Sequence, residues 1–261
     1  MMNQSLQKTA RILGILMESK APVGVNEFAR LLKMPKSTVS RFMATMESLG
    51  MVRRDPENGR FFLGFRLFEL GCKAVEDLGL RKAAVPLMES LRDRINESVV
   101  LTVLEDIHIT YLDTIESRQA IVARTHVGGT APAYCVSSGK AMLAHHPERI
   151  EKVVAQGLRP YTPLTLTEPE RLRRECEKAR EQGYALNKGE FREGVTGVGA
   201  PIFSASGAVV GAISTSTPAA RMNKLRWQEH IEAVTQTARA ISRRLGAAVP
   251  PEPPGAHHLP G

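Results

Sequence analysis

The sequence predicts an α+β protein with a small N-terminal helical domain that carries a β-hairpin, and a larger domain built on an antiparallel sheet. Its 261 residues are enough for two domains with separate cores. Residues 1–66 hold 11 basic and 5 acidic residues, whereas the rest of the chain is nearly neutral. Apart from the hairpin, helical spacing of apolar residues dominates up to about residue 96, and the strand-like runs of the larger domain follow it.

The overall composition excludes several classes of protein. Hydrophobic residues make up 43% and charged residues 24%, with a formal charge of +8, so collagen, general disorder and a disulfide miniprotein are excluded. Cys72, Cys135 and Cys176 have neither metal-ligand spacing nor an even disulfide framework. A signal peptide and a membrane-spanning run are both lacking. We therefore expect a cytoplasmic protein with no metal, no other cofactor and no membrane partner.

Residues 1–64 are predicted to form a winged helix-turn-helix. Apolar residues recur at helical spacing over Ser5–Ser19, a second helix starts near Val25, and a third covers Ser37–Leu49. Two short strand-like runs within Met51–Leu63 then flank an Asn-Gly turn, which is typical of a hairpin. Helix, helix, turn, helix and hairpin is the order of a winged helix-turn-helix.

The third helix has the side chains that a DNA-reading helix needs. With Val39, Met43 and Met46 facing inward, its other face offers short polar and basic groups suited to base edges and phosphates. These candidates are Lys36, Ser37, Thr38, Ser40, Arg41 and Thr45. Arg53, Arg54 and Arg60 flank the hairpin, where a wing meets phosphates or the minor groove. Double-stranded DNA is the expected partner; the alternative is a helical bundle with a solvated basic face.

The remaining chain divides into three predicted parts. Residues 65–80 form a helix with two apolar seams, which predicts a linker that packs against its copy in a dimer. Residues 81–248 form the sheet domain, with one strand expected at Ala120–Thr125. Residues 249–261 are rich in proline and are expected to be a disordered tail.

Four stretches carry a resemblance to a known family. They are Lys36–Arg41 (KSTVSR), Pro132–Leu143 (PAYCVSSGKAML), Gly183–Ala185 (GYA) and Gly194–Ile202 (GVTGVGAPI), in matching order and separation. With them, the chain from about residue 6 to 245 resembles the IclR family of bacterial transcriptional regulators. The resemblance implies a winged helix-turn-helix, a dimerising linker helix and a GAF-like domain for a small effector. It also implies that operators are bound as a homodimer or a dimer of dimers, with repression or activation of catabolic genes.

A candidate effector site begins at Ser137, Ser138 and Gly139. Serines at a helix start direct backbone N–H groups toward an anion, although a simple helix cap is the alternative reading. The resemblance implies a pocket wall made of Asn187, Glu190, Val195, Gly197, Ser214 and Ser216. Family members often have aspartate in place of Asn187 and cysteine in place of Gly197, so their ligand preferences do not transfer directly.

Further effector contacts are expected from the strand over residues 120–126 and from an aromatic wall. Arg124 and His126 share one face of that strand, which points either to the ligand or to solvent. Tyr134 would provide the aromatic wall. Together with the resemblance, these residues predict an aromatic or short organic carboxylate as the effector.

A different class of function remains as the alternative. Ser137-x-x-Lys140 matches the nucleophile pattern of serine-acyl enzymes such as penicillin-recognising hydrolases. The companion Ser-Asp-Asn and Lys-Thr-Gly motifs are lacking. We therefore expect a regulator rather than an enzyme.

Overall fold

The computed structural model describes residues 3–76 and 79–248, with side chains from 72 to 76 excepted. It divides into two compact units, Met1–Asp77 and Leu78–Gly261. The tail expected at 249–261 lies outside the described residues. So do the side chains of the second half of the linker seams, from Cys72 onward.

The N-terminal unit has the predicted order of elements. These are helices α1 (Gln4–Glu18), α2 (Val25–Leu32) and α3 (Lys36–Ser48), strands β1 (Val52–Arg54) and β2 (Phe61–Leu63), and helix α4 (Phe65–Glu76). The two strands pair as an antiparallel hairpin. The tight turn before α3 is made by Lys33, whose φ of 52° lies in the left-handed region. This arrangement confirms the helix-turn-helix with its wing.

The core of this unit gathers one face of each helix and the wing. Ile12, Phe28, Val39, Met43 and Phe61 are each 0% exposed. Val23 pairs with the wing, a contact that no sequence pattern predicts. It exchanges two backbone hydrogen bonds with Phe61, of 3.0 and 2.9 Å, and so ties the start of α2 to the hairpin. The wing is thereby held at a fixed place relative to the helices.

The C-terminal unit is an antiparallel sheet covered by helices. Its helices are α5 (Leu80–Ile95), α6 (Ser137–Leu143), α7 (Pro147–Gln156), α8 (Pro169–Gln182) and α9 (Lys224–Arg244). Its strands are β3 (Ser98–Glu105), β4 (His108–Ile115), β5 (Thr130–Pro132), β6 (Ala185–Lys188), β7 (Val195–Phe203) and β8 (Val209–Pro218). The strand order is β5-β4-β3-β8-β7-β6, and every pair is antiparallel. The predicted α+β fold class is confirmed.

Each face of this sheet has its own apolar core. On one face, α5 and α9 pack through residues such as Met88 and Val234 against Leu101 and Ile202. On the other face, α6, α7 and α8 pack through Leu143 and other buried residues. Within the described ranges, no helix has the length and apolar character needed to cross a membrane.

The prediction of a strand at Ala120–Thr125 is wrong. Residues 116–129 form an irregular loop that contains no strand. The edge of β4 beside it is occupied instead by the chain from Gly128 onward, since Gly128 and Gly129 bond to Tyr111 at 2.8 and 3.0 Å and β5 continues the pairing. The short strands β5 and β6 are too brief to give an alternating pattern in the sequence.

Candidate functional site

The outward face of α3 is a polar surface, and its basic residues lie in the first half of the helix. Of the six residues predicted to face DNA, Lys36, Ser37, Ser40, Arg41 and Thr45 are exposed and Thr38 is half-buried. The opposite stripe of this helix lies in the core, so these six side chains are held outward by the burial of their neighbours. The Thr45 hydroxyl donates to the Arg41 carbonyl at 3.0 Å. The other predicted groups remain available for base edges and phosphates.

The wing presents three exposed arginines beside that surface. The Arg53 guanidinium lies 4.5 Å from the centre of the Phe62 ring, and Arg54 lies 4.8 Å from that of Phe61. Arg54 also pairs with Glu47 and Arg60 with Glu27, both at 3.5 Å. These ion pairs are exposed and contribute little to stability. The rings orient Arg53 and Arg54, and all three arginine side chains stay exposed, where an anionic partner can reach them.

In the C-terminal unit, a small cavity lies between the sheet, the start of α6 and the 116–129 loop. Its volume is about 50 Å³. The predicted residues that line it are Arg124, Ser137, Ser138, Asn187, Val195, Ser214 and Ser216. Two arginines, Arg124 and Arg192, contribute to the wall, and none of the lining residues is acidic. The cavity is therefore electrostatically suited to an anion.

Several polar groups of this wall have no hydrogen-bond partner among the described residues. Among the described residues, no hydrogen bond is found for the hydroxyls of Ser137, Ser138 and Ser214. The carbonyl oxygen of the Asn187 side chain accepts from the N–H groups of Gly189 and Glu190 at 3.0 and 2.9 Å. This fixes the side chain and leaves its amide N–H₂ as a donor. Each of these groups can donate a hydrogen bond, and all of them line the same small cavity.

The serines do not cap α6 in the way the sequence predicts. Val136 is the N-cap and makes no side-chain hydrogen bond, whereas Ser137 and Ser138 are the first two helical residues. Their side chains therefore belong to the cavity wall rather than to the helix end. Gly199 lies directly behind them, because a Cβ there would be 2.5 Å from the Ser138 backbone nitrogen. The start of the helix thus sits closely against β7.

The 116–129 loop closes the cavity through hydrogen bonds to its backbone. Ser216 donates to the Ala123 carbonyl at 3.3 Å, and Arg192 donates to the Arg124 carbonyl at 3.0 Å. Arg221 holds the same loop from outside by donating to the Ile121 carbonyl at 3.1 Å. Arg221 is itself held by Glu97, which is 0% exposed. The guanidinium donates to the two carboxylate oxygens of Glu97 at 2.7 and 2.6 Å.

Beneath the cavity, Lys140 and Glu190 form a buried ion pair. The ammonium lies 2.7 and 2.6 Å from the two carboxylate oxygens, and the side chains are 2% and 9% exposed. Burial raises the pKa of Glu190, and Lys140 acts against that rise. No hydrogen bond joins Lys140 to the Ser137 hydroxyl within the described residues. Lys140 is therefore engaged by Glu190 and is not positioned as a base for Ser137.

Five predicted effector contacts do not line the cavity. His126 is exposed on the 116–129 loop, and Glu190 faces Lys140. Tyr134 is buried in the helical core and donates to the Arg159 carbonyl at 2.7 Å, so it provides no aromatic wall. Gly139 packs against the backbone of Ala133 instead. The fifth, Gly197, lies just behind the wall, since a Cβ there would be 3.3 Å from the Ser137 hydroxyl.

Other lining residues escape sequence reasoning. Tyr111, Phe191 and Arg192 line the cavity. Burial raises the pKa of Tyr111, and the charge of Arg192 opposes part of that rise. Tyr111 lies on β4, far along the chain from α6, and nothing in its local pattern distinguishes it from a core tyrosine. Arg192 stands two residues after Glu190 and could have been found by extending the implied wall. In the described parts of the chain, no group of three or more His, Cys, Asp or Glu side chains could hold a metal.

These features define a class of protein: a winged helix-turn-helix joined to a separate α+β unit that contains a small polar cavity. Sequence profiles of two domains match the chain, the IclR helix-turn-helix domain over residues 5–56 and the C-terminal domain of the bacterial transcriptional regulator IclR over residues 72–243. The chain therefore belongs to the IclR family of bacterial transcriptional regulators. Its DNA-binding domain is of the helix-turn-helix type.

Individual relatives match over nearly their whole length. The chain is 30% identical over 246 residues to the HTH-type transcriptional regulator KdgR of Escherichia coli (strain K12), covering 93% of this chain and 94% of that protein. The crystal structure of the Thermotoga maritima IclR is similar with a TM-score of 0.73 and 30% identity, covering 93% and 98%. An IclR homologue from Microbacterium hydrocarbonoxydans, crystallised with 4-hydroxybenzoate, has a TM-score of 0.81 and 30% identity, covering 93% and 99%.

Proposed function

We propose that this protein binds operator DNA and that a small carboxylate in the C-terminal cavity controls this binding. The observation that carries the proposal is the cavity wall itself, which has donor groups on three serines and Asn187 and no acidic residue. A carboxylate there would receive several hydrogen bonds that no protein group now receives. Arg124 and Arg192 also line the cavity, although the Arg124 side chain is 70% exposed and its Nε lies 3.8 Å from Glu116.

Of the two effector classes predicted from the sequence, the cavity volume favours the short carboxylate. An engineered cavity of about 150 Å³ holds a benzene molecule. The volume here, about 50 Å³, is a third of that. An aromatic acid such as the 4-hydroxybenzoate bound by the Microbacterium relative would need the 116–129 loop to move outward. We therefore propose an effector of about two to four carbon atoms.

The operator is read by the exposed face of α3, with the wing arginines on flanking phosphates. Lys36, Arg41 and the hydroxyl side chains between them supply the donors for base edges and backbone. We propose a homodimer, or a pair of dimers, that presents two such helices to related half-sites. Phe65, Phe68 and Leu70 of α4 are 73%, 71% and 48% exposed, and they supply an apolar surface for that contact.

The effector acts by preferring one of two arrangements of the linker helices. It can shift operator occupancy only by its difference in affinity for the two, a coupling of about 1–3 kcal/mol. In this scheme Arg41→Ala weakens operator binding and leaves effector affinity nearly unchanged. Ser138→Ala weakens effector binding and leaves operator affinity nearly unchanged, because Ser138 lines the cavity and lies outside the N-terminal unit.

Two measurements test the proposal. A mobility shift on DNA upstream of the protein's own gene, at low salt, tests the operator function; no shift contradicts it. Calorimetry with short carboxylates, 4-hydroxybenzoate, amines and neutral analogues tests the effector class. Binding by amines or neutral compounds alone, or by no compound of the panel, contradicts a carboxylate effector even if DNA binding is observed.

A further inference from the structure

A second and larger cavity lies in the C-terminal unit, at the outer edge of β7. Its volume is about 460 Å³, which lies in the range of about 300–1,000 Å³ typical of ligand sites. It is bounded by the C-terminal end of α8, the end of α6 and the second half of α9. It shares no lining residue with the cavity beside Ser137 and Ser138.

The cavity exists because β6 is shorter than β7. β6 pairs only with Thr196–Gly199, so the following residues Ala200–Phe203 have no β6 neighbour. The N–H of Phe203 donates instead to the Ser242 hydroxyl at 3.0 Å, and Pro201 has no N–H to offer. An added strand would lack donors at both positions. The space therefore fits a small molecule better than a peptide strand.

The floor of this second cavity is apolar and aromatic. Ala200, Pro201, Phe203 and Ala238 line it. The His145 ring stands edge-to-face on Phe203, with 5.2 Å between the ring centres. Burial lowers the pKa of His145, and the charges of His146 and Arg180 lower it further, so this ring is neutral at neutral pH. A flat apolar body finds a complementary surface here.

The rim of the cavity carries the guanidinium group of Arg180, which has no acidic partner in the described part of the chain. Arg180 and Arg239 both line the space, together with Glu181. Arg180 forms no ion pair with a carboxylate among the described residues, although α8 has several such pairs elsewhere, including Arg173 with Glu151 at 2.7 Å. An anionic group on a ligand would supply the missing partner.

We propose that this cavity is a second ligand site, which takes an aromatic carboxylate with its ring on the Phe203 floor and its carboxylate at Arg180. The site is independent of the proposed effector cavity. Its volume accommodates an aromatic acid without movement of the 116–129 loop. The structure thus separates a small anion site from a larger aromatic one within the same unit.

The test is calorimetry of the full chain with 2-naphthoate and with 2-naphthalenemethanol, its neutral analogue. We expect naphthoate to bind about 10-fold or more tightly than the alcohol, because a charge-assisted hydrogen bond is worth about 1.5–3 kcal/mol. Arg180→Ala should remove this preference. Arg174→Ala, an exposed arginine of α8 that does not line the cavity, should keep it.

A second pair of variants tests the location. Thr235 lines the cavity and Thr237 does not, although both are half-buried on α9. We expect Thr235→Trp to abolish naphthoate binding and Thr237→Trp to retain it, with circular dichroism establishing that both variants are folded. If Thr235→Trp does not fold, the comparison of Arg180→Ala with Arg174→Ala decides.

Three results would overturn the proposal. One is no binding of naphthoate, and another is equal affinity for naphthoate and the alcohol. The third is loss of binding in Ser214→Leu, a variant of the first cavity, with binding retained in Thr235→Trp. That last result would place the aromatic ligand beside Ser137 and Ser138. A failure of the operator or short-carboxylate tests above would leave this second-site proposal unaffected.

Discussion

Replacing Lys140 by methionine removes the cation that pairs with Glu190 in the described part of the molecule. The methionine side chain is similar in length, so the main change is the loss of charge. Glu190 then keeps a buried carboxylate whose remaining hydrogen bond is from the Lys188 N–H, at 3.3 Å. A carboxylate in this position is either an unpaired buried charge or must take up a proton.

The size of the effect follows from burial and geometry. The side chains of Lys140 and Glu190 are 2% and 9% exposed, and both carboxylate oxygens contact the ammonium. Removing one partner of such a pair costs about 3–5 kcal/mol of the free energy of unfolding. Replacing both partners by apolar residues is far less costly, because no buried charge remains. We therefore expect Lys140→Met with Glu190→Leu to recover about 2 kcal/mol or more of the loss in Lys140→Met.

The pH dependence provides an independent check. Burial already raises the pKa of Glu190, and losing the favourable charge of Lys140 raises it further. A carboxyl whose pKa is higher in the folded state stabilises the protein at low pH and loses that contribution as the pH rises. The deficit of Lys140→Met should therefore shrink between about pH 8 and about pH 5.

Urea unfolding followed by tryptophan fluorescence measures these changes in the stability of the C-terminal unit. The single tryptophan of the chain, Trp227, lies on α9 of the C-terminal unit. Lys188→Met is the matched control, since Lys188 is exposed two residues from Glu190. The reasoning is refuted if Lys140→Met loses less than about 1 kcal/mol, or if the double variant is as unstable as the sum of the single ones.

Three further predictions follow from the same structure. His230 is 0% exposed with both ring nitrogens unpartnered, and burial lowers its pKa to about 4. The unfolded chain therefore binds more protons between about pH 4 and 6.5, so stability should fall by up to about 3 kcal/mol as the pH drops through that window. His230→Phe should remove this slope and His108→Phe, at an exposed site, should not; equal slopes in urea midpoints would contradict the assignment. In mobility shifts, Arg41→Ala should weaken operator binding by about 10-fold. It should also reduce the slope of log affinity against log salt concentration by about 1, the value for one lost phosphate contact. Arg11→Ala on α1 should change neither quantity. Gly199→Ala should cost about 1–3 kcal/mol or more in urea unfolding, because its Cβ would lie 2.5 Å from backbone atoms of the first turn of α6; an unchanged midpoint would mean that β7 and α6 are not packed this closely.

The order of elements in the N-terminal unit could be predicted from the sequence because its signals are local. The core stripe Val39, Met43 and Met46 repeats at helical spacing, and a turn former stands on each side of the helix. The same reasoning fails for α1, where Leu6 and Met17 have the helical spacing of core residues but are 69% and 70% exposed. A periodic pattern shows that a helix has an apolar face, and it does not show which part of that face is covered within one chain.

The cavity residues depend on contacts between distant parts of the chain. Ser137, Ser138 and Asn187 could be selected from the sequence through the motifs that they share with a family. Tyr111 and Arg192 could not be selected in this way, because their roles depend on the register of β4 and on the path of the chain after Glu190. Alternating residues predict a strand at Ala120–Thr125, but alternation does not establish pairing, and the neighbouring strand edge is occupied by Gly128 and Gly129.

The sequence by itself therefore determined the class of the protein, the α+β architecture and the concentration of positive charge in the first 66 residues. The architecture and the charge distribution depend on composition or on spacing along a short stretch of chain, and the class of the protein depends on motifs that resemble those of a known family. Only the tertiary structure decided what the polar groups near Ser137 face, that Lys140 is neutralised by Glu190, and that the end of β7 borders a second cavity. The physical reason is that burial, pairing and empty space are properties of surfaces brought together from separate segments.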